Sequence, residues 1–499
     1  VLRLGLVLLS AFLSYLAFPN MFSIEGYPFL IWAALVPFLW ALEGRPLMGR
    51  LLYGLVWGAV FFLLVTRWLF AVSPAGYLLF VLALALGPMV FVLLPLRSSG
   101  ASLRFLLYVP SVWAVSEFLR SWAMGGFTWS LAYSQAFHPE HIRLACFGGA
   151  YAVVWVVVFV NTAVYLALRS SGLRRKKMFF AALAAFLLNA GFGTLSFKPA
   201  AGEKDAWRVA LIQPDISRDD KSDTALYDVN AERHLALSDK SVEAYQPELI
   251  VWPETSFPDD LLRDALWRSR MEGSARKWRA GILAGSALQD DRGRDLNAGL
   301  LLSSRGQWKA RYIKRKLVPF SENAAPFPWT WMNRLAKVQG RDFVPGDGTG
   351  IMSLLRDREP FVRFMGVVIC SEEAYPSLFR EIASRGASFI TVMLNDAWFR
   401  LPEALVMHAQ NAAFRAVESG RPVLRAGNTG LTAAFGPDGR LTAGPLPLNS
   451  AGSLKADVVP ASGKTFYTRF GDVFLLPCLL LIAMYHYCRG GLWPPGTAE

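Results

Sequence analysis

The sequence predicts a chain in two parts: a polytopic α-helical membrane domain of about eight transmembrane helices, and an α/β domain outside the membrane. Three observations predict it. Residues 1–197 are dominated by apolar runs, and one further run sits at 473–488. Residues 206–462 between them read as an ordinary soluble domain in which short apolar strands alternate with helices. The 499-residue chain is 54% hydrophobic with a mean hydropathy of +0.32, more apolar surface than one soluble core needs.

In order along the chain, apolar runs fall at 4–18, 28–42, 51–66, 76–96, 105–119, 144–168 and 178–195, so seven helices are expected before residue 200. Several are shorter than the ~20 residues of a usual span. Their loops alternate in charge. Those after the second, fourth and sixth runs hold Arg45 and Arg50, then Arg97 and Arg104, then Arg169, Arg174, Arg175, Lys176 and Lys177; the others hold only Arg67, Arg120 and Arg143. By the positive-inside tendency the N-terminus is cytoplasmic, and an odd number of spans delivers residue 200 to the outer face. The run at 473–488, followed by Arg489, returns the chain. Arg3 precedes the first run but no small-residue cleavage pattern follows it, so a retained helix is expected there.

Charge sharpens the division. Residues 206–462 carry 33 Lys and Arg against 30 Asp and Glu, so +10 of the formal +13 belongs to the membrane portion. A nucleic-acid protein would concentrate that excess in its folded domain, so the basic balance reads as topology and no nucleic-acid partner is expected. Within 206–462 the expected strands are Val209–Ile212, Leu249–Trp252, Gly281–Ala284, Phe361–Ile369 and Phe389–Leu394; the expected helices are Asp223–Ala244, Asp259–Arg270 and Glu403–Ser419. No repeat period or low-complexity tract is evident.

The stretch Gly366-Val-Val-Ile-Cys370-Ser-Glu-Glu373 puts a thiol at the end of a buried strand, where the strand fixes its position and the loop leaves it accessible. Of four cysteines only Cys370 lies in the soluble domain, so it has no partner there for an internal disulfide. Two other strand-end segments supply what a thiol nucleophile needs. Trp252-Pro-Glu254 offers a carboxylate to take the thiol proton, and Arg311-Tyr-Ile-Lys314 with Glu322 offers a lysine that can stabilise an oxyanion. Taken singly, each segment leaves a plainer alternative open: a buried small hydrophobe, a loop salt bridge, a solvated basic face. The five histidines form no His-x-x-x-His pair and do not cluster with cysteines, so no metal site and no Cys-His dyad is expected. Neither a Gly-x-Ser-x-Gly elbow nor a phosphate loop is present.

These three segments resemble the Glu, Lys and Cys motifs of the nitrilase (carbon-nitrogen hydrolase) superfamily, and in this membrane context the bacterial apolipoprotein N-acyltransferase family. The resemblance runs through Leu16-Ala-Phe-Pro19, Gly126-Phe-Thr-Trp129, Ala132-Tyr-Ser-Gln135, Lys314 to Glu322, Asn395-Asp-Ala-Trp-Phe399, Arg415 to Pro422, Asn428-Thr-Gly430 and Thr465 to Asp472. It implies an α-β-β-α nitrilase-like domain facing the periplasm of the bacterial inner membrane. Glu254 would be the general base, Lys314 the oxyanion-stabilising lysine and Cys370 the nucleophile, with Glu322 and Glu372 as supporting acids. It further implies a phospholipid acyl donor, a Cys thioester, and the α-amine of a diacylglyceryl-cysteine lipoprotein as acceptor, with no cofactor. The chain departs from the family pattern at Ser371, where an aromatic residue is usual, at Pro214, Lys316 and Arg400, and at Ser222, a usual tryptophan position.

Phe320, Phe327, Trp329 and Trp331 crowd a Pro-containing loop, and residues 323–345 are expected to admit lipid. Glu117 and Arg120, ionisable residues at membrane depth, are further candidates for lipid access. Two other readings stand beside the transferase: a membrane-anchored amide hydrolase of the same superfamily, and an inactive lipid- or lipoprotein-binding relative.

Overall fold

Alternate residues of the strand Trp207–Gln213 face two different cores, and that alternation organises the soluble part of the molecule. Trp207, Val209 and Leu211 belong to one apolar cluster, while Ala210 and Ile212 belong to another. A strand buried on both faces must be apolar throughout, which is why these segments read as unbroken hydrophobic runs. The computed structural model describes residues 1–93, 103–196, 205–319, 321–323, 342–356 and 362–489. The chain divides into two units: Val1–Arg67 with Leu78–Ser196 and Phe470–Glu499, and Trp68–Tyr77 with Phe197–Arg469.

Among the described residues of the second unit, twelve strands form two six-stranded sheets. In chain order they are β1 Trp207–Gln213, β2 Leu249–Val251, β3 Gly281–Gln289, β4 Asp295–Leu302, β5 Trp308–Ile313, β6 Ile351–Leu354, β7 Arg363–Ile369, β8 Phe389–Leu394, β9 Val423–Gly427, β10 Ala433–Phe435, β11 Leu441–Ala443 and β12 Gly452–Val458. One sheet runs β12-β1-β2-β3-β4-β5 and the other β11-β10-β9-β8-β7-β6. In each, a parallel centre (β1-β2-β3 and β7-β8-β9) is flanked by antiparallel strands.

Val209, Leu211, Val251 and Leu283 of one sheet pack with Met365, Val367, Ile369 and Met393 of the other in a shared core. The outer face of the first sheet buries Ala210, Ile250 and Ile282 against Leu235, Trp267, Met271 and Trp278 of the helices Tyr227–Tyr245 and Ala265–Trp278. The helices Pro376–Ser384 and Pro402–Ser419 pack on the second sheet. The result is four layers, α-β-β-α.

Two expectations need correction. The helix expected at Asp259–Arg270 starts at Ala265, because the Asp264 side chain accepts the Trp267 N–H at 3.0 Å and caps it there, while Asp259 and Asp260 bond to the end of β3. The soluble domain also holds seven strands beyond the five expected, from β4 to β6 and β9 to β12.

Among the described residues each expected apolar run lies largely on helix. Among the described residues four helices are long and apolar enough to cross a membrane: Leu47–Val65, Pro74–Leu93, Ala145–Leu168 and Gly172–Leu195. Leu2–Leu16, Pro28–Leu42 and Asp472–Tyr487 are shorter apolar helices, and Leu103–Ala123 carries Arg104, Glu117 and Arg120. The segment Pro28–Leu42 breaks at Leu35, just before Pro37, and the buried Asn161 closes the gap. Its Oδ1 accepts the Leu35 N–H at 2.8 Å and its Nδ2 donates to the Ile31 carbonyl at 2.8 Å. Backbone groups freed at such a break have no water to turn to inside a bilayer.

Candidate active site

Three strand ends carry the residues expected to do chemistry, two from one sheet and one from the other. Past β2, Trp252 still donates its N–H to the Leu283 carbonyl at 2.8 Å, and the chain then turns through Pro253 and Glu254 over Gly285 of β3. A Cβ on Gly285 would meet the Pro253 oxygen at 2.4 Å and the Thr255 nitrogen at 2.5 Å, so only glycine lets the loop lie this close. Past β5, the Lys314 N–H donates to the Asn297 carbonyl of β4 at 2.8 Å and its carbonyl accepts from Gly346 at 2.9 Å. Past β7, Cys370 adopts φ +53°, a left-handed conformation that costs a non-glycine residue about 1–2 kcal/mol and turns the chain out of the sheet at the thiol.

The side chains converge. The Lys314 ammonium, fully buried, donates to Glu254 Oε1 at 3.2 Å and to Glu322 Oε1 at 2.8 Å. Asn297 Nδ2 donates to Glu254 Oε1 at 2.8 Å, and the Val318 N–H holds the other oxygen of Glu322 at 2.8 Å. Burial alone would lower the Lys314 pKa, but the two carboxylates outweigh it and hold the ammonium well above the usual lysine value. Cys370 is half-buried; burial, then the charge of Glu254, push its thiol well above the ordinary value against the pull of Lys314. The resting site therefore keeps the sulfur protonated beside a carboxylate that can accept its proton and an ammonium that can face the charge that follows.

Glu372 plays a different part from the other acids. Its Oε1 accepts from the Tyr312 hydroxyl at 2.8 Å and from the Arg315 and Lys316 N–H groups at 2.7 and 3.1 Å; its Oε2 accepts from the Ile369 N–H at 2.8 Å. It ties the loop bearing Lys314 to the turn bearing Cys370. Burial raises its pKa, against the hydrogen bonds it accepts. Ser371 turns its hydroxyl to the Lys316 carbonyl at 3.4 Å, and Ser222 bonds within its own helical turn. Behind the nucleophile, Arg425 Nε meets Glu373 Oε1 at 3.0 Å and His408 Nδ1 meets Asp396 Oδ1 at 2.8 Å, both carboxylates fully buried.

Sequence reasoning missed Asn297 and Lys221, whose Nζ donates to the Glu254 carbonyl at 2.7 Å. Neither sits in a segment with a chemical pattern of its own; only the partners that the fold brings to them mark them out. Phe320, Phe327, Trp329 and Trp331 lie outside the described residues. Glu117 belongs to the first unit, where it is 3% exposed and accepts from Trp113 Nε1 at 3.0 Å and from the Leu131 N–H at 3.2 Å. Arg120 donates to the Trp129 carbonyl, and the two charged residues border a cavity of about 10 Å³.

Both parts of the chain are similar to known proteins. The family "Carbon-nitrogen hydrolase" matches residues 208–466, and "Apolipoprotein N-acyltransferase N-terminal domain" matches residues 10–163. The chain is 29% identical to an apolipoprotein N-acyltransferase of Geobacter metallireducens, over 95% of this chain and 92% of that one. It is 30% identical to one of Pseudomonas putida, over 78% of this chain and 75% of that one. Among solved structures, an amidase from Nesterenkonia sp. is 21% identical and covers 55% of this chain and 97% of its own, with a TM-score of 0.36.

Proposed function

Since the chain belongs to the carbon-nitrogen hydrolase superfamily and, within it, to the apolipoprotein N-acyltransferases, we propose that Glu254, Lys314 and Cys370 carry its acyl transfer through a thioester. The chain is an acyltransferase of lipoprotein maturation and a membrane protein. The observation that carries the assignment of residues is the buried Lys314 ammonium, 3.2 Å from Glu254 Oε1 and within electrostatic reach of Cys370.

In the first step Glu254 takes the thiol proton as the sulfur adds to the ester carbonyl of a phospholipid. The oxyanion faces Lys314, and collapse expels the lysophospholipid oxygen, which receives the proton from Glu254. In the second, the neutral α-amine of a diacylglyceryl-cysteine adds to the thioester and gives its proton to Glu254. Collapse breaks the carbon–sulfur bond, and the same proton returns to the sulfur. Two bulky lipid substrates then never need to be bound together, and ping-pong kinetics follow. Glu322 keeps Lys314 charged, and Glu372 aligns its loop with the nucleophile.

Residues 206–462 form the catalytic domain on the periplasmic side of the inner membrane, with residues 1–197 and the helix at 473–488 as its membrane frame of eight spans. The alternating basic loops support this orientation.

Intact-protein mass spectrometry after incubation with phospholipid tests the reading. A fatty-acyl mass is expected on the wild type, absent from Cys370→Ala, removed by hydroxylamine and transferred to the amine of a diacylated lipopeptide. Release of free fatty acid with the peptide unmodified would point to hydrolysis, and no adduct on folded protein would overturn the mechanism.

A further inference from the structure

The charges gathered around Cys370 do not balance. Glu254 and Glu322 share one ammonium, that of Lys314, whereas Asp396, also within reach of the sulfur, is met by His408 at 2.8 Å and by Arg425 at 3.8 Å. A thiolate formed there enters a field that is already negative, and like charges held at short range in a poorly solvated site oppose its formation. A second cation at the backbone of Glu254 changes that balance, and Lys221 supplies one, its Nζ 2.7 Å from the Glu254 carbonyl oxygen.

Lys221 lies on the short helix Arg218–Ser222, whose first turn is capped by the Ser217 hydroxyl accepting the Asp220 N–H at 3.1 Å. The segment leading into it is fastened to the far sheet. Asn428, just past β9, accepts the Ile216 N–H on its side chain at 3.1 Å and donates to the Ile216 carbonyl at 2.8 Å, while its backbone oxygen accepts from Asp215 at 2.8 Å. On the other side Asn230 Nδ2 donates to the Asp220 carbonyl at 3.0 Å, and the Arg218 guanidinium lies 4.0 Å from the centre of the Trp398 ring. A long flexible side chain is thus delivered from a fixed base, and its ammonium gives one of its three N–H groups to the carbonyl of Glu254 at 2.7 Å.

We propose that Lys221 is a positioning residue of the acyl-transfer site, holding the Glu254 loop by its carbonyl and supplying the second positive charge that lets Cys370 ionise beside two carboxylates. The inference rests on the catalytic roles proposed above for Glu254 and Cys370. The groups that face it are Glu254, Cys370 and the buried His234, which burial holds neutral with its pKa pushed down to about 3. Burial pushes the Lys221 ammonium itself down to about 8, against the charges of Glu254 and Cys370. Its charge is therefore present at neutral pH and withdrawn in mildly alkaline solution, which gives the role a readable pH signature.

Two substitutions separate tether from charge. Lys221→Gln keeps an N–H for the Glu254 carbonyl and removes the charge; Lys221→Arg keeps both. The rate at which iodoacetamide alkylates Cys370 in the full-length protein in detergent, followed by peptide mass between pH 6 and 10, reports the ionisation of the thiol directly. Lys221→Gln is expected to slow alkylation at pH 7.5 roughly tenfold, with the difference shrinking toward pH 10 as the wild type loses the Lys221 charge, and Lys221→Arg to stay within about threefold of the wild type. Thermal unfolding of each variant checks that it is folded.

A folded Lys221→Gln protein that is alkylated at the wild-type rate at pH 7.5 overturns the electrostatic role, whatever its activity. If Lys221→Gln does not fold, a wild-type rate at pH 7.5 in Lys221→Met does the same. Failure of the catalytic reading has a different appearance: the wild type then forms no acyl-thioester on Cys370, while the alkylation profiles still report what Lys221 does to the thiol.

Discussion

Glu372→Gln tests whether one buried carboxylate aligns the two halves of the site. Glu372 is fully buried and accepts four hydrogen bonds, three from backbone N–H groups and one from the Tyr312 hydroxyl. An amide in its place keeps one acceptor oxygen. With that oxygen toward Tyr312, Arg315 and Lys316, the new NH2 faces the Ile369 N–H, donor against donor, and the three remaining bonds lose their charge assistance. An unpaired buried donor costs about 1–3 kcal/mol, and the weakened bonds add roughly 1–2 kcal/mol.

The substitution also removes a desolvated charge, as the raised pKa of Glu372 records, which returns on the order of 1 kcal/mol. The net loss is about 1–4 kcal/mol, or a fall in unfolding temperature of roughly 3–12 °C for a domain of this size. The alignment should suffer with the stability, because the loop of Lys314 and the turn of Cys370 lose their common anchor. Thermal unfolding in detergent and the single-turnover rate of thioester formation read the two effects. A Glu372→Gln protein with the wild-type unfolding temperature and an acylation rate within a factor of about two would refute the argument.

Three further predictions follow from the same geometry. Glu254→Gln should reduce thioester formation by about 10²–10⁴-fold with little change in unfolding temperature, since it removes the proton acceptor and keeps the contact with Asn297; single-turnover mass spectrometry measures it. Gly285→Ala should lower acylation about tenfold or more by lifting the Glu254 loop off β3, read as the single-turnover rate of thioester formation in the folded variant. For His408, burial alone would lower the pKa, but Asp396 and Glu373 raise it above the usual value. A raised folded-state pKa contributes stability fully present below the unfolded value of about 6.5 and lost as pH rises through the folded value. The unfolding temperature of the wild type should therefore exceed that of His408→Gln most at pH 6 and least at pH 9, and a constant difference would contradict the linkage.

What could be read from the sequence were the elements whose burial is uniform. β1, β2, β3, β7 and β8 are covered on both faces, and their apolar runs say so. β9 is as deeply buried but carries Arg425 in its middle, a charge that looks like a strand breaker until Glu373 is seen to meet it. β5 alternates Trp, Lys, Ala, Arg, Tyr and Ile along a sheet edge, too polar to stand out by hydropathy.

In the proposed site, Glu254, Lys314 and Cys370 could be singled out because each stands at the end of a strand with a residue type suited to acyl transfer. Asn297 and Lys221 were not, because their meaning lies in contacts with Glu254 across 43 and 33 residues of sequence. Glu372 could be read as an acid near the nucleophile, but its work as a clamp depends on three backbone groups that no side-chain pattern reveals.

The pairing of β1 with β12 has a consequence for biosynthesis. The first strand of the domain, beginning at Trp207, takes its outer neighbour from Gly452–Val458, near the end of the chain. During synthesis every residue named in the proposed chemistry emerges before that strand does. Until it arrives, β1 is an open edge and the sheet carrying Glu254 and Lys314 lacks its border. A nascent or prematurely terminated chain can thus hold Glu254, Lys314 and Cys370 and still be inert toward the surrounding lipid. The sheet is closed only once Gly452–Val458 has been made, just ahead of the helix Leu475–Arg489.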